Sequence, residues 1–528
     1  MKTRIVWLAL VLTVSGCGDR GATDVADGQL TADVETNSES SNNVAETPPR
    51  DIGRLGADRG LISRTDAATP GYVFYNPLNS DTTYLVDLDG QVVHTWTSEL
   101  GTSGGIYLLD DGTLLRAGVD AEAPVFGGGG QGGWFQKLDW NGEVFWEFHF
   151  ANENFRPHHD FALKPNGNIL AIAWEAKTVD EVVALGRNPE EIPAAGMWPD
   201  WIVELRPVGT NDAEIVWQWH LWDHVIQDFD ETRDNYDVVV DHPELLDINV
   251  GHLPEPITEE EFEQQRAIGM APSNATMNNR GSDLYHVNAI NYHPELQLIA
   301  LSLPGINEIL VIDNSTTTEE AAGHSGGRWG KGGDILYRWG NPANYRRGQE
   351  EDQRLGGQHD VSWVTGDSPQ DVRLLVYNNN VPGAEPPQSA VYELALPLTE
   401  TGFELEENAA FGPAEPAWQY TTDDPMDFFS PFISGAQRLP NGNTLVTEGA
   451  SGRFFEVDRD GNVLWNYMDP FSGDMKNADG TTPQPVGPFI HGTFRSTHVP
   501  ADHPALAGKN LQPLDPQPPF YQPPAPAD

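Results

Sequence analysis

The sequence predicts an all-β chain, a six-bladed β-propeller with helical and loop insertions, and two recurring elements carry that prediction. The first is a turn, an apolar strand and a tryptophan, present six times. The second is a pair of short strands joined by an Asp-Gly or Asn-Gly turn, with three clear copies and two looser ones. Recurrence at long range is the signature of a repeat architecture. A unit of four short strands, roughly 45–50 residues without insertions, has the size of a propeller blade.

The first element reads Asp87-Leu-Asp-Gly-Gln-Val-Val-His-Thr-Trp96, then Asp139-Trp-Asn-Gly-Glu-Val-Phe-Trp146, then Asp458-Arg-Asp-Gly-Asn-Val-Leu-Trp465. Looser copies end at Trp217, Trp339 and Trp418. The second reads Ile106-Tyr-Leu-Leu-Asp-Asp-Gly-Thr-Leu-Leu115, Phe161-Ala-Leu-Lys-Pro-Asn-Gly-Asn-Ile-Leu170 and Ala436-Gln-Arg-Leu-Pro-Asn-Gly-Asn-Thr-Leu445, with looser versions from Val287 and Val361. Asp-Gly and Asn-Gly supply the positive φ of tight hairpin turns. A β-sandwich or two small barrels would not need one turn–Val–x–Trp element repeated along the whole chain. The repeated tryptophans are read as blade packing. Asp110, Asp111, Asp458 and Asp460 are turn formers rather than a calcium site.

Insertions interrupt the repeat. Thr178 to Gly186 predicts a short helix capped by Thr178. Residues 220–282 form a long acidic excursion, with a second helix near Glu259 to Ala267. Long loops on one face of a propeller build a binding wall.

The termini are different in kind. Lys2 and Arg4 precede the apolar run Ile5 to Val14, too short to span a bilayer. Val14-Ser-Gly-Cys17 follows, resembling a lipobox. Residues 1–17 are therefore read as a lipoprotein signal peptide that leaves Cys17 lipidated, which makes the protein an exported lipoprotein of the cell envelope. Residues 18–66, polar and poor in large apolar side chains, are read as a flexible acidic tether, 67–508 as the propeller, and 509–528 as a Pro-rich tail. Cys17 is the single cysteine, so no intramolecular disulfide can hold the fold. The formal net charge is −49, from 30 Lys and Arg against 79 Asp and Glu. A surface of that sign repels nucleic acid.

The candidate chemistry lies in histidines placed by the repeat. His158-His159-Asp160, His286-Val-Asn288 and Gln358-His359-Asp360 each open the equivalent strand of a blade. Counting back from the turns, His159, His286 and His359 share one register, and Gly104 and Ser434 hold it in two other blades. Innermost strands line a propeller's channel, so residues at one register form a ring. Neutral imidazole is a nucleophile, a general base and a metal ligand. The ring is thus compatible with group transfer, with a metal-dependent hydrolase or with a non-catalytic binding propeller. Gly127 to Gly133 lacks the Gly-Lys-Ser/Thr of a phosphate loop and is read as a flexible loop at the channel mouth. Trp174, Trp198 and Trp222 are candidates to stack on an aromatic ligand.

Several segments together resemble the bacterial arylsulfate sulfotransferases, over roughly residues 70–508. They are His158-His159-Asp160 with Pro165-Asn-Gly-Asn, Trp222-Asp-His-Val-Ile-Gln-Asp-Phe-Asp230, Asp283-Leu-Tyr-His-Val-Asn288, Gly332-Gly-Asp-Ile-Leu-Tyr-Arg-Trp-Gly-Asn341, Gly357-Gln-His-Asp360, and Phe494-Arg-Ser-Thr with His503-Pro-Ala-Leu. The resemblance implies an exported six-bladed propeller that moves a sulfuryl group from an aryl sulfate to a phenol, without a cofactor or nucleotide donor. It implies that His359 carries a transient N-sulfonate, that His159 and His286 hold sulfate oxygens or move the phenolic proton, and that Asn288, with His158, belongs to the substrate-binding set. One position departs from the family. The strand after His-x-Asn, where the family has a sulfate-gripping arginine, reads Leu301-Ser-Leu-Pro-Gly-Ile-Asn-Glu308. Arg338, Arg346 and Arg347 are the candidates to replace it.

Overall fold

A computed structural model of the chain describes residues 51–521, apart from 79, 124, 268–270, 272–273, 367–370 and 474–488. The signal segment, Cys17, residues 18–50 and residues 522–528 lie outside the described residues.

Six antiparallel sheets of four or five strands make six blades. Blade 1 pairs Thr493–Pro500, innermost, with Gly71–Pro77, Thr82–Asp87 and Val92–Thr97. Blades 2 and 3 begin at the axis with Thr102–Leu108 and Phe155–Leu163, and end outside with Val144–His149 and Asp212–His220. Blade 4 runs from Ala289–His293 to Tyr337–Trp339, and blade 5 from His359–Thr365 to Trp418–Tyr420. Blade 6 runs from Gly435–Arg438 to Val463–Met468. The six innermost strands touch one another in a closed cycle.

Every blade has a blade on either side, so both faces of its strands are covered and both become apolar. On the strand Ile169–Glu175, Leu170 and Ile172 join a core cluster with Leu301 and Leu310 of blade 4. The alternating residues Ile169, Ala171 and Ala173 join one with Leu115 and Phe135 of blade 2. The other gaps between blades are filled in the same way.

The repeated tryptophans tie each blade to the next. Trp146 Nε1 donates to Asp212 O at 3.1 Å, Trp418 to Arg459 O at 3.0 Å, and Trp465 to Leu88 O at 3.0 Å. Trp217 reaches Thr316 Oγ1 and Trp339 reaches Pro413 O. In blade 1 the contact is made two residues earlier, by His94 Nε2 at 2.8 Å from Trp140 O. A buried indole N–H needs such a partner, and each bond contributes about 1 kcal/mol net.

Both chain ends close the ring, which moves two sequence boundaries. Gly60–Arg64, inside the segment read as tether, is a fifth strand on blade 6, pairing Gly60 with Met468 and Arg64 with Trp465. It is an edge strand whose residues Leu61 to Arg64 are exposed, the apolar Leu61 and Ile62 among them. The Pro-rich tail is tied down over its described part: Leu514 N donates to Val92 O, Gln517 bonds both N and O of Val92, and Tyr521 N donates to Pro470 O. The insertions hold the helices Val179–Ala184, with a Thr178–Glu181 capping box, and Glu259–Ala267. Among the described residues, no helix is long and apolar enough to cross a membrane.

Candidate functional site

The inner strands are kinked where they meet the axis. Positive φ falls at Gly104 (138°), His159 (54°), His286 (57°), Asp360 (53°) and Ser434 (93°). The slots counted from the turns coincide with these kinks in four blades, and in blade 5 the kink falls one residue after His359. A Cβ at Gly104 would stand 2.5 Å from His159 O, so a glycine there makes room for its neighbour's histidine.

The imidazoles of His159 and His286 meet edge to face, 4.4 Å between centroids. His359 shares their field: His286 lowers the proton affinity of both His159 and His359. The three histidines are nevertheless unequal, because each has a different partner.

His359 Nδ1 lies 2.8 Å from Asn379 Oδ1 and 3.0 Å from Gly357 O. Both are acceptors, so Nδ1 carries the proton and Nε2 the lone pair. Asn379 donates its own amide hydrogens to Ser430 O and Ile433 O at 2.8 and 2.9 Å, which decides which end of the amide faces the ring. Ile433 N donates to His359 Nε2 at 3.1 Å. Burial, with the His286 and Arg495 charges behind it, pulls the His359 imidazole down to about 3 against the bond to Asn379. It is a neutral base with its lone pair on Nε2.

His159 is also held neutral, by burial and by the charges of the other histidines. Its Nδ1 shares a proton with His158 Nδ1 at 2.8 Å. His158 stacks flat on Trp174, 4.0 Å between centroids, and its Nε2 lies 3.1 Å from Asp200 Oδ1.

His286 is the member with raised proton affinity. Burial opposes its protonation, but Asp283, with Oδ2 2.5 Å from Nδ1, outweighs burial and raises its pKa. Asp283 is fixed in turn by Trp174 Nε1 at 2.8 Å on its other oxygen. His286 is also the most open of the three, its side chain 27% exposed.

The glycine run lies directly on this cluster. His159 N donates to Gly130 O at 2.7 Å, and a Cβ on Gly130 would stand 2.5 Å from the His159 ring. The loop is clamped rather than flexible, which corrects the sequence expectation. Arg156, buried in the strand that carries His159, donates to Phe126 O, Gln131 Oε1, Gly132 O and Asp120 O.

Four further expectations are placed differently. Asn288 is fully buried and its Nδ2 donates to Gln358 O at 2.9 Å, so it braces the residue before His359. His158, its side chain 0% exposed, supports His159 from behind. Both therefore stand behind the ring and not on its open side. Trp174 and Trp198 are buried with Phe126 beneath the histidines, and Lys177 covers Trp222. Arg338 is spent on Glu308, Leu245 O and Pro243 O, Arg346 on Asp247, and Arg347 on Val240 O and Ala409 O.

The arginine whose charge reaches His359 is Arg495, in the innermost strand of blade 1. It bridges Asp160 at 2.8 Å and Asp360 at 3.1 Å, the residues that follow His159 and His359. Two carboxylates face it, so it ties three blades together. Sequence reading passed over Asp283, Asn379, Arg156 and the backbone of Ile433. Asp283, three residues before His286, was the legible one. Among the described residues, the His/Asp/Glu group whose ligand atoms converge is His224, His324 and Asp334.

A family model described as Arylsulfotransferase (ASST) matches residues 64–463. No curated protein matches the chain. Solved structures similar to it include a protein of unknown function from Bacteroides caccae, 11% identical, covering 82% of this chain and 99% of that one at a TM-score of 0.40. The Pseudomonas aeruginosa periplasmic gluconolactonase PpgL is 11% identical, covering 81% and 99% at 0.37. Kuenenia stuttgartiensis hydrazine synthase is 10% identical, covering 77% and 81% at 0.32.

Proposed function

The chain belongs to the arylsulfotransferase family, and we propose that it moves a sulfuryl group from an aryl sulfate to a phenol through a sulfohistidine at His359. The supporting observation is the division of labour in the ring: a neutral His359 with its lone pair on Nε2, beside an imidazolium at His286 held by Asp283. A nucleophile and an acid in different protonation states are what a two-step transfer requires.

In the first step His359 Nε2 attacks sulfur and the bond from sulfur to the aryl oxygen breaks. His286 gives its Nδ1-opposed proton, on Nε2, to the leaving oxygen, and a phenol departs. The His359 Nδ1 proton stays with Asn379, which stabilises the positive charge of the sulfonated ring. In the second step neutral His286 takes the proton of an acceptor phenol, its oxygen attacks sulfur, and the bond to His359 breaks. Ile433 N–H must first release the Nε2 lone pair. Ile433 has φ of 47° and Ser434 93°, a costly backbone for a β-branched residue and its neighbour. The segment covering the nucleophile is thus strained in its closed form. His286 also takes over the anion attraction that the family's arginine would supply.

Incubation with 4-nitrophenyl sulfate and a phenol should release nitrophenol with ping-pong kinetics, and rapid alkaline quenching should place one sulfonate on the His359 peptide. Absence of release, or full activity in His359→Ala, would defeat the proposal. The proposal extends to location: a lipid on Cys17 would anchor the enzyme to a membrane of the cell envelope.

A further inference from the structure

Away from the axis, three side chains from three separate segments point their donor atoms at one spot. His224 follows the last strand of blade 3, His324 follows the short helix Thr318–Ala321, and Asp334 precedes the last strand of blade 4. Asp334 Oδ1 lies 3.0 Å from His224 Nδ1 and 2.7 Å from His324 Nδ1. The three ligand atoms fall within 4.8 Å of one another.

The rest of the pocket fixes His224 as a metal ligand is fixed. Its Nε2 lies 2.8 Å from Ala321 O. A carbonyl only accepts, so Nε2 carries the hydrogen of that bond, and Nδ1 is the ring atom turned toward the Asp334 carboxylate. Donation of the second ring N–H to a backbone carbonyl is the usual support of a metal-bound histidine. The ring stacks on Trp219, 5.5 Å between centroids and 4° from parallel, and Trp219 Nε1 is held by Gly333 O at 2.7 Å. A Cβ on Gly333 would stand 2.5 Å from His224 Nε2, so the bare backbone there keeps the ring in place. His224 and Asp334 are buried, while the His324 side chain is 63% exposed. One side of the group therefore faces water.

We propose that His224, His324 and Asp334 form a binding site for a divalent transition metal, zinc above all, with water as the fourth ligand. Two imidazoles and one carboxylate suit zinc and its neighbours, whereas calcium and magnesium take oxygen donors. The ion would pin the segment after blade 3 to the insertion within blade 4. The site is independent of the histidine ring at the axis.

The test uses the full chain, stripped with a chelator and titrated with Zn²⁺ and with Co²⁺. One equivalent of zinc and the intense visible bands of four-coordinate cobalt are expected. His324→Ala changes an exposed side chain and should weaken uptake by more than the roughly 10–100-fold that loss of an outer-shell partner brings, and Asp334→Asn should weaken it too. Absence of stoichiometric uptake overturns the proposal. So does uptake that survives both substitutions, or uptake that is lost instead in His286→Ala.

Discussion

Asp283 Oδ2 and His286 Nδ1 stand 2.5 Å apart, and the other Asp283 oxygen accepts the indole hydrogen of Trp174. This pair raises the proton affinity of one of three neighbouring histidines while burial lowers that of the other two. Its consequence for pH has a definite sign. In the proposed transfer His286 serves as the acid while protonated, and Asp283, against the opposing burial, raises its pKa above the ordinary 6.5. His359 must stay neutral, and burial lowers its pKa to about 3. The rate should therefore have its acid limb near 3 and its alkaline limb above 6.5. Asp283→Asn removes the main group that opposes burial, so the alkaline limb should move to lower pH, and the rate at pH 7 should fall on the order of 10²-fold. A pH profile of kcat/KM for both proteins checks this.

Asn379 sets which nitrogen of His359 carries the proton. Asn379→Leu removes the acceptor at Nδ1 and the two amide bonds to Ser430 and Ile433. Loss of an orienting partner to a catalytic histidine lowers kcat by on the order of 10²–10⁴. The expected outcome is a fall in kcat larger than any change in KM, with the sulfonated peptide reduced in burst experiments.

Arg156 and Gly130 act on the loop above His159. Gly130→Ala places a methyl group against the imidazole at a φ of 65°, which costs roughly 1–2 kcal/mol of backbone strain. Activity should be lost while thermal unfolding changes little. Arg156→Met removes four bonds to the loop and its anchors. Proteolysis within residues 126–132 should then become faster than in the parent.

Trp465 fills the gap between blades 6 and 1 and donates to Leu88 O. Trp465→Ala should cost about 3–5 kcal/mol, read as a lower midpoint in denaturant. Trp465→Phe should lose less, because it keeps most of the buried area.

The blades were legible because their physics is local. An Asp-Gly turn, two apolar strand faces and a tryptophan appear within ten residues, as in Asp87 to Trp96. The histidine register followed from the same turns. What the sequence concealed depends on partners far away in the chain. Asn379 reaches His359 from the next strand, and Arg495 reaches Asp160 across 335 positions. The strand Gly60–Arg64 lacked a signal because an edge strand exposed on both faces carries no period-two pattern. The anchoring of the glycine run was hidden for another reason. Its clamp, Arg156, stands in the innermost strand of blade 3, and only the fold brings its four acceptors around it.

The closure of the ring by both chain ends also sets the order in which the molecule can be made. Gly60–Arg64 pairs with a strand roughly 400 residues later, and the first blade has no innermost strand until Thr493–Pro500 has been synthesised. Pairings that distant raise the contact order and slow folding. A nascent or truncated chain that stops before residue 493 leaves Gly71–Pro77 as a bare edge, ready to pair with another molecule. The strand Thr493–Pro500 therefore acts as a check on synthesis: only a chain that includes it covers the inner edge of Gly71–Pro77.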